Sequence, residues 1–531
     1  MKESCVVLIA IEEFDNLGVG YLASVLSENK IKVNIIDFRE GKEDILKHVK
    51  RIKPYVVGFS VIFQFYILRF RELILYLRES GITCHFSAGG QFASMRYAEL
   101  FEIIPYLDSI VRFEGEYTFL ELVTRIGKGN EWHDIKGIAY KKNGKIIATP
   151  LRSIESDLDK LPYARRFPLK EYAIGKKFAT LLAGRGCLNN CSFCNNTEYV
   201  RESGIHFRRN RSAENVANEM HYLYHKKNCT VFLFEDDDFP LERRPDKISW
   251  IEDFCRELVH KKLVNKVIWK INCRPDEVDL KRFNMMKEHG LYHVFLGLDD
   301  GTDPGLNRLN KHMTVSESLH GISVLKYLDI GIDYGFMLFQ PSSTFNSIFD
   351  NLDFLQQLCG DGYTPVIFLK MMPFFNTEVE KNLKKEGRLK GEIDRRDYDF
   401  FDVSLNHYFN FLMECFGRWL YHPEGFTNLS RWGRNLKSIY SRFYTMTASS
   451  SSLFRKVSHI TSESNQYLLD TVKYLAYTFE SGRYKQNENF NLKTYSDEIK
   501  EKHDLFVNQI TDPLRKINFM AEYQNLHNLI L

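Results

Sequence analysis

No stretch of this 531-residue chain is both apolar and long enough to cross a bilayer, which takes about 20 residues as a helix. The most apolar run, VVGFSVIFQFYILRF, is short and broken by Gln64 and Arg69. Nor does the opening read as a secretion signal. The opening MKESCVVLIAIEEFDN has one lysine and a brief apolar run, closed at once by Glu12, Glu13 and Asp15. It reads as a first β-strand, and a cytoplasmic location is expected. Neither sign of charge is in excess: 72 Lys and Arg stand against 69 Asp and Glu, for a net +3. That removes the electrostatic case for nucleic acid or a membrane surface as partner. Internal repeats are absent, and the one low-complexity tract is SSSS, so repeat architectures are excluded. Paired cysteines are scarce too. Of ten cysteines, Cys5, Cys84, Cys229, Cys255, Cys273, Cys359 and Cys415 are scattered singly. They read as buried thiols in a reducing compartment.

The chain is too long for one hydrophobic core, so two to four domains are expected. Its 44% apolar and 27% charged residues are ordinary for a globular protein. Apolar runs such as CVVLIAI, KVNIID, YVVGFSV and SIVRF alternate with helical spacings over about 125 residues, the pattern of a doubly wound parallel sheet. Ligands of such sheets sit at the carboxyl ends of strands. KGIAYKKNGKIIATP then reads as a hairpin with Asn143-Gly144 as its turn. These elements define an N-terminal domain over 1–150, and 151–176 reads as a linker packed on its surface. A second series, over 177–385, has strands at 178–183, 230–236, 266–273, 293–299, 333–339 and 366–372. Six βα units predict a partial (β/α)6 TIM-like barrel. From 386 to 531 the alternation stops and a mostly α region is expected, with a break at the serine-rich TASSSSLFRK.

AGRGCLNNCSFCNN places Cys187, Cys191 and Cys194 in C-x3-C-x2-C spacing, directly after the first strand of the second series. Thiolates are soft ligands that suit zinc, copper(I) or iron–sulfur clusters. A structural zinc site would need a fourth ligand such as His206, and zinc sites commonly bring a second cysteine pair. The position on the catalytic rim of a barrel favours iron–sulfur chemistry. With Phe193 before the last cysteine, this loop resembles that of the radical S-adenosylmethionine superfamily. The resemblance implies a [4Fe–4S] cluster on the three cysteines, with its fourth iron open to the amino and carboxylate groups of S-adenosylmethionine. Gly184 and Gly186 let the backbone turn into the loop. FLFEDDDF puts Glu235, Asp236, Asp237 and Asp238 where the superfamily holds the amino end of S-adenosylmethionine. The common Gly-Gly-Glu is absent, so which carboxylate serves is open. By the same resemblance Arg274 reaches the carboxylate, and Asp299 or Asp300 the ribose.

A Rossmann-like domain ahead of such a barrel resembles the cobalamin-binding subclass. Cobalamin domains of the methionine-synthase type carry D-x-H-x-x-G after the first strand. Here Glu13, Phe14, Asp15, Asn16, Leu17 and Gly18 occupy that place, with Asp15 where the histidine would be. The domain has therefore lost cobalamin or binds it without a histidine beneath the cobalt, and the resemblance favours the second. Further candidate cofactor contacts are Ser60 and Gln64, then Gly89, Gly90 and Gln91, then Gly115 and Glu116 at a helix start.

The implied function is that of a cobalamin-dependent radical S-adenosylmethionine methyltransferase of class B type. It would methylate an unactivated carbon of a natural-product or secondary-metabolite precursor. The substrate is a small molecule, carrier-bound or peptide among the possibilities, and the electron donor a flavodoxin or ferredoxin. Two rivals are an oxidative rearrangement or cyclisation with the same cofactors, and a zinc-stabilised binding protein without catalysis. The C-terminal region is expected to close over the barrel.

Overall fold

The computed structural model describes residues 5–12, 15–205, 208–241, 250–483 and 492–530. Its N-terminal sheet contains β1 (Cys5–Ala10), β2 (Lys32–Asp37), β3 (Val56–Ser60), β4 (His85–Gly89) and β5 (Ser109–Val111), all parallel. Strand order is β2-β1-β3-β4-β5. Every residue of β1 is buried, as expected of a central strand covered on both faces. The order reverses beside β1, which opens a crevice at the carboxyl ends of β1 and β3. The hairpin β6 (Ile138–Lys142) and β7 (Lys145–Ala148) extends the sheet antiparallel. Asn143 and Gly144 take φ of +51° and +73°, the two left-handed residues of a type I′ turn.

The linker lies on this domain. Leu158, Leu161 and Ala164 pack against Leu17, Tyr21 and Val25 of the helix Leu17–Glu28. At Gly20 the helix meets the Arg165 carbonyl so closely that a Cβ would stand 2.5 Å from the oxygen. The end of the linker already belongs to the next sheet, because β8 (Glu171–Ala173) pairs antiparallel with β9 (Lys176–Leu181).

A short ribbon, β10 (Gly184–Arg185) with β11 (Arg209–Asn210), flanks the cysteine loop. The second sheet continues through β12 (Cys229–Phe234), β13 (Ile268–Cys273), β14 (Leu291–Asp299) and β15 (Gly331–Phe336). Its order is β15-β14-β13-β12-β9-β8. This is a half-barrel of five parallel strands. The sixth, expected at 366–372, is irregular and held by one bridge, Phe339 to Lys370. Its first amides are taken elsewhere: Val366 N–H donates to Asn465 Oδ1 at 2.9 Å and Ile367 N–H to the Tyr334 hydroxyl at 3.1 Å, while Leu369 and Met371 N–H reach the Phe336 and Phe339 carbonyls at 2.8 and 2.7 Å.

Among the described residues, the C-terminal region holds the helices Val403–Tyr421, Phe426–Phe443, Ala448–Glu480 and Leu492–Ile530. The serine tract is not a break. Thr447 caps the third helix by accepting from Ser450 N–H, and the serines form its first turn. No described helix is long and apolar enough to cross a membrane. Two contacts tie the parts together. Phe375, which follows the half-barrel, is inserted in the N-terminal core with its ring 4.9 Å from Phe92. Arg431 of the second C-terminal helix donates to Asp333 at 3.0 Å, opposite His293 at 3.1 Å.

Candidate functional site: a cavity between the sheet edge and the cysteine loop

The carboxyl ends of β1, β3, β4 and β5 face the start of the half-barrel across a cavity of about 520 Å³. Asn16, Gly18, Ser60, Gly89, Gly90, Gln91, Gly115 and Glu116 line it from the N-terminal domain. Gly184, Gly186, Asn195, Asn196, Glu235 and Asp237 line it from the other side. Glycine is required at position 90, where φ is +106° and a Cβ would stand 2.7 Å from the Val61 carbonyl. Asn16 caps the first helix, its Oδ1 accepting from Val19 N–H at 3.1 Å.

Two contacts expected on the corrin side lie outside this lining, as do Phe193, Asp236, Arg274 and Asp299. Asp15 accepts from the amide and hydroxyl of Thr180, at 3.0 and 3.2 Å, and faces Arg166 at 3.5 Å. It joins the first loop to β9. Gln64 is buried, and its Oε1 accepts from Phe375 N–H at 3.1 Å. Both side chains hold the walls together.

Glu116 lines the cavity but is paired, with Arg185 Nη2 2.7 Å away. Burial alone would raise the Glu116 carboxyl; the Arg185 guanidinium outweighs burial and holds it below its usual range. Arg185 also faces Glu114 at 3.4 Å and lies 5.0 Å from the centre of the Tyr21 ring. Arg209 pairs with Glu114 as well. Sequence reasoning passed over Arg185, although it stands between the two glycines of AGRGC. Its partners are far away in the chain and leave no local signal.

The cysteine loop is anchored at its root by Asp236. Its oxygens accept from Ala183 N–H at 3.0 Å and Gly184 N–H at 2.6 Å. Burial raises this carboxyl to about 7, opposed by Arg208. Asp236 therefore serves the backbone and is absent from the cavity lining, while Glu235 and Asp237 are open to the cavity. Burial among protein atoms raises both of these carboxyls. On its outer side the loop is stapled by Ser192 N–H to the Leu309 carbonyl at 3.0 Å and by Asn310 Nδ2 to the Asn190 carbonyl at 2.9 Å.

Cys187, Cys191 and Cys194 are partly buried. Burial pushes the Cys194 thiol to about 12 and raises the other two, with Lys311 and then Arg274 opposing at Cys191. Thiolate ligation at this loop thus needs the positive charge of bound metal. Cys194 is also the N-cap residue of the helix Asn195–Glu202, and its side chain makes no capping hydrogen bond.

Phe193 packs with Leu309, Met337, Met371 and Val379. Arg274 is engaged by Asp276, at 2.9 and 3.1 Å, and by the Lys311 carbonyl at 2.5 Å. Asp299, with φ of +66°, pairs with Lys311 Nζ at 2.5 Å. Asp300 accepts from Gln340 Nε2 at 2.5 Å and from Thr302. Asp238 lies 3.4 Å from Asn189 Nδ2. Lys311 was not foreseen, since a lone lysine in RLNKHMT carries no pattern.

Between the two halves runs a line of side-chain amides. Gln91 Nε2 donates to Asn196 Oδ1 at 2.5 Å, and Asn196 Nδ2 donates to Asp237 Oδ1 at 2.6 Å. Asn195 Nδ2 donates back to Gln91 Oε1 at 3.3 Å.

The residues fit the implied groups. No three His, Cys, Asp or Glu side chains among the described residues converge as a single metal ion requires. A cubane takes its thiolates at separate corners and does not require them to converge on one ion. Glycines 18, 89, 90 and 115 form a cradle that lets backbone approach a large planar ligand. Glu13, Phe14 and His206 lie outside the described residues.

Comparison with known families matches residues 5–123 to the B12 binding domain and residues 181–355 to the radical SAM superfamily. The first implies cobalamin, the second a [4Fe–4S] cluster and S-adenosylmethionine. Among curated relatives, an uncharacterized methyltransferase of Pyrococcus horikoshii is 27% identical over 353 residues, 64% of this chain and 73% of that protein. An anaerobic magnesium-protoporphyrin IX monomethyl ester cyclase of Rubrivivax gelatinosus is 28% identical over 317 residues, 58% of this chain. The chain spans about half of that cyclase, 55% of its length. Among solved structures, the cobalamin-dependent S-adenosylmethionine radical enzyme OxsB aligns over 100% of this chain and 82% of its own, with a TM-score of 0.67 and 18% identity. The radical S-adenosylmethionine methyltransferase TsrM of Kitasatospora setae aligns over 72% of this chain and 76% of its own, with a TM-score of 0.61 and 18% identity. These two likenesses bear on the fold.

Proposed function

We propose, for a chain that joins a B12 binding domain to a radical SAM domain, methylation of an unactivated carbon in a natural-product or secondary-metabolite precursor. One observation carries the reading. A single cavity is lined both by the glycine loops of the N-terminal sheet and by the residues that follow the third cysteine. Two cofactors held there would face each other across one space.

When bound, the cluster would supply one-electron reduction of S-adenosylmethionine, and cobalamin would supply a methyl carrier. The chain's own residues do the rest. Cys187, Cys191 and Cys194 would hold the cluster. Glu235 and Asp237 would take the amino end of S-adenosylmethionine, its ammonium favouring their ionised forms. Gly18, Ser60, Gly89, Gly90 and Gly115 make room for the corrin and its tail. Asp236 fixes the root of the cysteine loop, and Phe193 packs its inner face. Lys311 keeps Asp299 oriented, and Arg274 stays close to Cys191. The C-terminal helices support the half-barrel and shape substrate access. A flavodoxin or ferredoxin in the cytoplasm supplies electrons.

A second reading, oxidative cyclisation or rearrangement with the same cofactors, is favoured by relatives named as cyclases alongside those named as methyltransferases. One experiment separates them. The chain is purified anaerobically, its cluster rebuilt, hydroxocobalamin added, and iron, sulfide and cobalt measured. It is then incubated with a reductant, S-adenosylmethionine and candidate precursors. Bound cobalt and a product heavier by one CH2 are expected. Loss of hydrogens without mass gain would select the second reading. A full cluster without cobalt would end both.

A further inference from the structure

We propose that Asn196 is a positioning residue that couples the two cofactor sites, so that filling the S-adenosylmethionine side changes the affinity of the cobalamin side. The inference rests on the functional reading above and names a role for this chain's own amides within it.

Three loops that belong to different sites meet at Asn196. Gln91 follows Gly89 and Gly90 at the end of β4, on the corrin side. Asn195 and Asn196 directly follow Cys194, on the cluster side. Asp237 follows β12, on the S-adenosylmethionine side. The bonds of 2.5 and 2.6 Å described above make Asn196 the link between the first and the third. All four side chains belong to residues that line the cavity.

The link has a direction. A carboxylate only accepts, so Asn196 must present its Nδ2 to Asp237 and its Oδ1 to Gln91. Gln91 must then present Nε2 to Asn196, which leaves its Oε1 facing Asn195. One choice at Asp237 thus orients every amide as far as the corrin-side loop. Gln91 is a firm endpoint. Gly90 before it is locked by its positive φ and the nearby Val61 carbonyl. Phe92 N–H after it donates to the Ile62 carbonyl at 3.2 Å. Two other contacts between the halves, Arg185 with Glu116 and Asp15 with Thr180, do not involve the residues after Cys194.

An ammonium that settles on Asp237 competes with Asn196 for the same oxygens. The amide line responds, and the corrin-side loop responds with it. Coupling between two ligands is reciprocal, so cobalamin must change S-adenosylmethionine affinity by the same factor.

The test uses the full chain with its cluster rebuilt anaerobically. Hydroxocobalamin affinity is measured by equilibrium dialysis with and without saturating S-adenosylmethionine. The unaltered chain is expected to show a shift of about fivefold. In Asn196→Ala the shift should fall below about twofold, and Asn196→Gln, which keeps both arms, should restore part of it. A second readout needs no cofactor. Amide hydrogen exchange in the unloaded chain should rise together over 91–95 and 195–202 in Asn196→Ala, and likewise in Gln91→Ala. An undiminished shift in Asn196→Ala, or exchange that rises in one segment alone, overturns the proposal. Cobalamin binding that ignores S-adenosylmethionine in the unaltered chain overturns it too, and leaves the functional reading standing. Failure of the unaltered chain to bind hydroxocobalamin at all overturns both.

Discussion

Asp236 sits in an acidic run that announces a cationic ligand, yet it is absent from the cavity lining, as is Asp238. Its oxygens meet the amides of Ala183 and Gly184 only because β9 and β12 pair side by side. Nothing in the local sequence distinguishes it from Glu235 or Asp237. The same holds for Asp15 and Asp299, whose charge is legible and whose partners are not. Asp236 also makes a pH prediction. Its carboxyl rises from 3.8 to about 7, so the folded chain holds this proton more tightly than the unfolded chain. The associated stability is full below the unfolded value and is lost as pH climbs through about 7. Asp236→Asn removes that titration. The fall in thermal midpoint of the cofactor-free chain between about pH 5 and about pH 8 should therefore be smaller in the variant. A residual fall is expected from Glu12, which burial also raises to about 7.

At the scale of elements, the parallel strands of both sheets were legible because buried parallel strands read as continuous apolar runs, whereas the antiparallel edge strand β8 lies in the segment read as a linker. The segment 366–372 reads the same way and yet pairs only at its far end, through one bridge. Apolar pattern reports burial, and burial is what it got. The near end is taken instead by Asn465, which reaches in from the helix Ala448–Glu480. Its Nδ2 donates to the carbonyls of Cys359 and Thr364 at 2.6 and 3.0 Å, and its Oδ1 accepts from Val366. Asn465 is fully buried, with 2% of its surface exposed. Asn465→Ala takes the partner from two buried backbone groups, the Thr364 carbonyl and the Val366 N–H, at a cost of about 1–3 kcal/mol each, while the Cys359 carbonyl keeps the Gly362 N–H at 2.9 Å. Denaturant unfolding followed by circular dichroism should show a loss of about 2 kcal/mol or more. The serine tract taught the reverse lesson. Ser and Thr interrupt helices in their interior but start them at the cap, and Thr447 stands at a start.

For the whole molecule, the order of the two matched domains was legible, since it follows from the run of strands along the chain. What joins the domains was not, because those contacts link residues far apart in sequence. Arg185 with Glu116 is the clearest case, separated by 69 positions and shielded from solvent. Removing one partner of a buried pair strands the other charge. Arg185→Met should lower the unfolding free energy of the cofactor-free chain by about 3 kcal/mol, and the double variant Arg185→Met with Glu116→Leu should recover much of it. Equal losses in the single and double variants, measured by the same unfolding curve, would show that a stranded Glu116 charge is not what the single variant suffers from.

The contact between Gln64 and Phe375 has a bearing on how the protein is made. The two residues are 311 positions apart. At about 5–20 residues per second of translation, the first waits roughly 15 to 60 seconds on the ribosome for the second. During that interval the N-terminal core lacks the phenylalanine that will plug it, and Gln64 lacks the amide that will satisfy it. The nascent sheet therefore emerges as an open half-vessel, with its wall delivered last.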